Sequence, residues 1–173
     1  MLYKCPKCNC KNTLKSSNNI LTCTSCNNTV LMNSKGNFEG ASKDSYVMRN
    51  EAVWYEWQKN QIRRDVENNS LHLEGEFDML CDTEGTYELN MVGSGKIVLT
   101  NEELYYYGTI NGVLTRRDFK LSSITQVPFE TRHHLAIPDD DGMFEFIPSI
   151  TEKASKIAEF VQSIEVLASY RDK

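Results

Sequence analysis

The sequence lacks any run of roughly eighteen apolar residues, so no segment reads as a membrane-crossing helix. Its first residues lack the apolar stretch of a secretory signal, and the expected compartment is therefore the cytosol. Thiols stay reduced there, so closely spaced cysteines read as metal ligands or catalytic groups before they read as disulfides. Also missing are a Walker phosphate loop, a G-x-S-x-G nucleophile turn and a G-x-G-x-x-G dinucleotide fingerprint. The stretch MVGSGK at 91–96 comes nearest to a phosphate loop. It lacks the first glycine and the following hydroxyl residue, and reads as a hairpin turn between two strands.

Basic charge is scarce in the chain's centre. Residues 69–148 hold five basic residues against fourteen acidic ones, a net −9, whereas residues 1–44 hold six lysines against two acids, a net +4. The whole chain of 173 residues carries −5. This asymmetry points to two modules with different surfaces and away from a chain that binds nucleic acid along its length. No aromatic residue lies between Tyr3 and Phe38, so the lysine-bearing N-terminal module has no platform on which bases could stack. With 40% hydrophobic and 25% charged residues, the composition is that of a soluble globular protein.

What the N-terminal module does have is thiols. Cys5, Cys8, Cys23 and Cys26 form C-x2-C-x14-C-x2-C. Two C-x-x-C turns joined by a hairpin supply the four thiolates of a tetrahedral zinc site. Asn9 and Asn27 follow the two pairs, and asparagine tolerates the left-handed backbone that such a turn needs. TLK and ILT flank SSNN as one hairpin, and TVLMN and NFEG flank SKG as a second. This is the plan of a zinc ribbon over residues 1–40. A thioredoxin-type redox pair would need a helix after its C-x-x-C, and neither pair has one. Four sulfur ligands leave no position for a catalytic water, so the zinc is expected to be structural and to supply folding free energy to a module too small for a large core. Cys10 could replace Cys8 in a minor register, but a C-x-C pair grips zinc less comfortably, so Cys10 and, far downstream, Cys81 read as bystanders.

Residues 34–45 are polar and rich in Gly and Ser, a seam between modules. The following stretch, NEAVWYEWQKNQIRRDVEN at 50–68, has helical periodicity and carries both tryptophans, Trp54 and Trp57. A partner- or membrane-binding helix is one reading, with Trp54 and Trp57 as binding residues. Packing of the tryptophan face onto a neighbouring module is the favoured one. Residues 41–69 are thus taken as linker and helix.

From residue 70 the period becomes two. Short strands alternate with TEG, GSG, NEE, NG and PDDDG, and an amphipathic helix follows Pro148, opened by a capping box at Ser149-x-x-Glu152. About seven strands ended by one helix is the element order of a pleckstrin-homology-like barrel. The runs GKIVLTNEELYYYGTI, FKLSSITQVPF and FEFIP resemble the GRAM and PH-like pattern over roughly residues 70–170, which is a signature of fold more than of function. The expected fold class is therefore mainly β with two helices: a zinc ribbon, and a PH/GRAM-like antiparallel barrel over 70–173 closed by its C-terminal helix.

The order of CPKC ribbon, W-x-x-WQ helix (Trp54, Trp57, Gln58) and β domain resembles the C-terminal extension of certain bacterial lysophospholipid (1-acyl-glycerol-3-phosphate) acyltransferases. The resemblance implies a non-catalytic accessory module of a phospholipid-synthesising enzyme whose catalytic domain lies outside this chain. That family's His-x-x-x-x-Asp motif has one literal match, His134 to Asp139, but the match runs from a strand into PDDDG without the family's later motifs, and no catalytic role is assigned to it. His133, His134 and Asp139 to Asp141 are too closely spaced for an EF-hand loop and read as a strand end and a solvated turn.

The first hairpin of the β domain, EGEFDMLCDTEGTYE, is acidic where phosphoinositide-binding domains are basic. Arg116 and Arg117, with Lys120, are the remaining candidate binding residues. The expected partner is a protein, either the parent's catalytic domain or a separate one, with peripheral contact at the inner face of the membrane as the alternative. A stand-alone adaptor and a nucleic-acid-associated ribbon are the competing classes, the last disfavoured by charge.

Overall fold

The computed structural model describes residues 2–82, 89–124, 127–130, 133–150 and 153–171. It is mainly β with two α-helices and two antiparallel sheets, and divides into compact units Met1–Gln61 and Ile62–Lys173.

In the first unit, β1 (Leu14–Ser17), β2 (Ile20–Cys23), β3 (Thr29–Met32) and β4 (Phe38–Gly40) form a four-stranded sheet in sequence order. Asn18, at φ 52°, turns the first hairpin, and Gly36, at φ 76°, turns the second. Helix α1 (Glu51–Glu67) starts in this unit and ends in the next. The Asn50 side chain caps it by accepting the Val53 N–H at 3.0 Å. Its end is a Schellman motif: Asn69 has φ 53°, the Ser70 N–H donates to Asp65 O, and the Asn69 N–H donates to Val66 O.

The second unit holds β5 (His72–Asp82), β6 (Leu89–Thr100), β7 (Leu104–Ile110), β8 (Val113–Phe119), β9 (Phe129–Glu130), β10 (His134–Asp139), β11 (Gly142–Pro148) and α2 (Ser155–Arg171). Its sheet runs β8-β7-β6-β5-β11-β10-β9, all antiparallel. The expected closed barrel is not found, because no ladder joins β8 to β9 among the described residues. Among the described residues β9 consists of Phe129 and Glu130, and both pair with β10. The sheet instead curls until side chains meet across it. Phe119 on β8 lies 5.8 Å, centroid to centroid, from both Phe144 and Phe146 on β11. Phe77 on β5 stands edge-on to Phe146 and, at 5.5 Å, to Phe160 of α2, so the core sits inside this curl.

Two local expectations are corrected. The GSG of MVGSGK is not a turn, since β6 runs unbroken through it. Gly95 pairs with Gly108 on β7, and a Cβ on Gly95 would lie 2.5 Å from the Gly108 Cα, so glycine here permits the close approach of two paired strands. The Ser149 capping box is not the start of α2, which begins at Ser155. The Ser149 N–H donates to Glu76 O beside the β11–β5 pairing, and Glu152 lies outside the described residues. Helix α2 is also less one-sided than its pattern predicts. Residues 157–164 are all buried, Glu159, Gln162 and Ser163 included. Among the described residues, no helix is long and apolar enough to cross a membrane.

Candidate metal centre and binding surfaces

The two C-x-x-C turns are near-copies of each other. Asn9 at φ 60° donates its N–H to Cys5 O, and Asn27 at φ 58° donates to Cys23 O, each at 2.9 Å. The Cys5 N–H donates to Cys10 O at 3.0 Å, and the Cys23 N–H donates to Asn28 O at 2.9 Å. Each turn thus folds back within six residues and aims its two sulfurs to the same side. Cys10 occupies the place that Asn28 holds in the second copy. The third thiol of CPKCNC stands outside the cluster of four sulfurs. Its Sγ accepts from the Ser25 hydroxyl at 3.2 Å.

The sulfurs of Cys5, Cys8, Cys23 and Cys26 all lie within 4.8 Å of one another. Cys5 and Cys26 are 3.7 Å apart, as are Cys8 and Cys23. A disulfide needs about 2.05 Å, so these are free thiols. Sulfurs at the corners of a tetrahedron with about 2.3 Å metal–sulfur bonds would stand about 3.8 Å apart. The donor set and its spacing therefore fit a metal ion, which the four cysteines could hold. Burial pushes the Cys5 thiol up to about 12. Burial also acts to raise Cys23, but the nearby Thr13 hydroxyl and the backbone N–H groups of Cys26 and Ser25 stabilise its thiolate and bring it down to about 6. Thr13 Oγ1 lies 3.2 Å from Cys23 Sγ, a contact that the cysteine spacing did not announce.

The W-x-x-WQ segment of α1 is fastened to the first of these turns. Trp54 is 1% exposed, donates its Nε1–H to Lys4 O at 2.9 Å and packs edge-on against Phe38. One turn on, Gln58 is fully buried, and its Oε1 accepts the N–H groups of Tyr3 and Lys4, both at 2.9 Å. The helix thereby holds the segment that leads into Cys5. Trp57 is half-buried, with the Lys4 ammonium 5.8 Å from its ring centroid. A buried Asn28 repeats the device on the second turn, exchanging two hydrogen bonds with the Tyr46 backbone.

In the second unit, Arg116 and Arg117 point to opposite faces of β8. Arg116 stacks on Tyr105, 3.8 Å from its centroid, and bonds Asp118 and Glu103. Arg117 lies over Phe144 and bonds Asp139 and Asp141 at 2.6 and 2.7 Å. Both guanidinium groups are thus engaged by carboxylates, while Lys120 is exposed. His134 and Asp139 sit at the two ends of β10, five residues or about 16 Å of extended chain apart. His134 faces Glu145 at 3.8 Å, and Asp139 belongs to Arg117, so the two do not form a pair. Cys81 is far from the tetrad in sequence and burial raises its thiol. No protein-family model matches the chain, and no curated protein matches it in sequence.

Proposed function

We propose that the chain is a non-catalytic docking module: a ribbon held by structural zinc, joined to a β domain of PH/GRAM-like type, serving as the accessory part of a bacterial glycerophospholipid acyltransferase. The observation that carries the docking reading is the closed use of the reactive groups. The four converging thiols saturate a tetrahedral ion and leave no position for a reacting water. Numbered within the second unit, the sheet order is 4-3-2-1-7-6-5 with one helix last, which supports the PH-like reading. Zinc, rather than another metal, is supported by four sulfur donors in tetrahedral spacing. The acyltransferase placement is supported by the sequence order of ribbon, W-x-x-WQ helix and β domain. The acidic first hairpin favours a protein partner over an anionic membrane.

Immunoprecipitation from the source cells with an antibody against this chain tests the placement. The precipitate is expected to acylate lysophosphatidate, while the purified chain does not. A precipitate without acyl transfer would remove the acyltransferase from the proposal. Acyl transfer by the purified chain, lost in His134→Ala, would overturn the non-catalytic reading.

A further inference from the structure

The partner surface on the β domain can be narrowed by register. Along β5 the inward residues Leu73, Phe77 and Met79 are buried, so the alternate positions Asp78, Leu80 and Asp82 face outward. Leu80 stands opposite Met91 on β6 and Glu145 on β11, Asp82 opposite Leu89, and Asp78 opposite Ile147. Residues paired in this way share a face.

Apolar and acidic side chains interleave on that face. Met91 is 62% exposed, Met143 43%, and Leu89 and Ile147 39% each. Asp78, Asp82 and Glu145 lie among them, and the three strands carry one basic residue other than histidine, Lys96, held between Glu74 and Glu76 at 3.5 and 3.8 Å. From Asp78 to Asp82 the face runs about 13 Å, and from β6 to β11 about 10 Å. Those are the length of two to three helical turns and the width of one helix, at about 5.4 Å per turn and 10 Å across.

We propose that the outer face of β5, β6 and β11 is the docking surface for a basic amphipathic helix of a partner protein, its apolar stripe on Leu80, Met91 and Ile147 and its Lys or Arg residues against Asp78, Asp82 and Glu145. Unbranched methionines adapt to such a stripe, and the carboxylates select its charge. The same carboxylates repel an anionic bilayer or a nucleic acid. The inference rests on the docking reading and names the surface and the chemistry of its partner.

The test uses the full chain with zinc bound and two synthetic helical peptides of about 18 residues, roughly five turns, one of Leu and Lys and one of Leu and Glu. Methyl NMR of the methionines follows each titration. The Leu/Lys peptide is expected to shift the Met91 and Met143 methyls, and the Leu/Glu peptide to shift neither. Binding should weaken about tenfold in Met91→Lys and in the double variant Asp78→Asn, Glu145→Gln, and stay unchanged in Val113→Lys, a control on exposed β8. Equal response to the two peptides, shifts that bypass Met91 and Met143, or unchanged affinity in the face variants would overturn the assignment. So would movement of these methyls on phosphatidylserine vesicles in place of the peptide. An acyltransferase-bearing immunoprecipitate together with a silent peptide titration would discard this face alone. The converse pair of results would keep the face and discard the acyltransferase.

Discussion

Arg117 on β8 reaches Asp139 on β10 at 2.6 Å, although the two strands lie near opposite ends of the sheet order. With Asp141 on the same guanidinium and Phe144 beneath it, this pair closes by side chains what the backbone leaves open. Asp139 is 15% exposed and Arg117 24%, so the pair is shielded more than a surface bridge but less than a buried one. Arg117→Leu leaves Asp139 without its partner and is expected to destabilise the β domain by about 2 kcal/mol. Urea denaturation should show a lower midpoint at an unchanged slope.

Gln58 gives one carbonyl oxygen to two backbone N–H groups, at Tyr3 and Lys4. Gln58→Ala strands both and is expected to cost at least about 2 kcal/mol, since each unsatisfied buried donor costs about 1–3 kcal/mol when no water reaches it. Thermal unfolding of the metal-loaded protein, followed by tryptophan emission, measures the loss.

Metal removal should act on the first unit. Both tryptophans, Trp54 and Trp57, lie there, and Trp54 is buried against Phe38. A strong chelator, or Cys5→Ser with Cys8→Ser, is expected to red-shift tryptophan emission and collapse the amide signals of residues 2–40. The amide signals of β5 to β11 should persist. One metal ion per chain by elemental analysis, with zinc as the element, is the accompanying expectation.

Glycines in the β domain should divide by geometry. A Cβ at Gly95 would meet the Gly108 Cα and the Tyr107 carbonyl oxygen at 2.5 Å, and backbone cannot step aside as a side chain can. Gly95→Ala should therefore cost upwards of about 3 kcal/mol or prevent folding, as severe backbone clashes do. At Gly112 nothing lies within 4 Å, and only its φ of 81° opposes a side chain, so Gly112→Ala should cost about 1 kcal/mol. Denaturation midpoints of the two variants test the contrast.

Burial pushes the Tyr106 phenol up to about 12, with Asp78 and Glu76 adding to it, while its hydroxyl donates to Thr109 O. An unfolded tyrosine ionises near pH 10, so above that pH the unfolded chain releases a proton that the folded one keeps. Stability is therefore expected to be intact below about pH 10 and to fall from there toward pH 12. Tyr106→Phe should reduce that alkaline fall, measured as the difference in urea midpoint between pH 9 and pH 11.

The cluster of four cysteines was legible in the sequence because its geometry is local. Six residues suffice to build each cysteine turn, and the asparagines at positions 9 and 27 mark the left-handed backbone that closes it. The two ribbon hairpins were legible for the same reason, each being set by a turn of a few residues. Strand alternation likewise gave a β domain ending in a helix. Beyond that, local signals failed where distant chain took over. GSG has the composition of a turn, but its Gly95 pairs with Gly108 on the next strand, where the backbones approach too closely for side chains. Ser149 has the spacing of a helix cap, but the neighbouring strand claims its N–H through Glu76.

Sequence by itself thus determined the cysteine cluster, the two N-terminal hairpins and the alternating character of residues 70–148, all fixed by backbone preferences over a few neighbours. Tertiary structure decided the rest. It placed Trp54 and Gln58 against the segment that leads into Cys5, and turned Arg117 from a candidate binding residue into the partner of Asp139. It also gathered Leu80, Met91 and Ile147 on one acidic face. These relations join residues about 10 to 70 apart in sequence, and only packing and strand register bring such residues together.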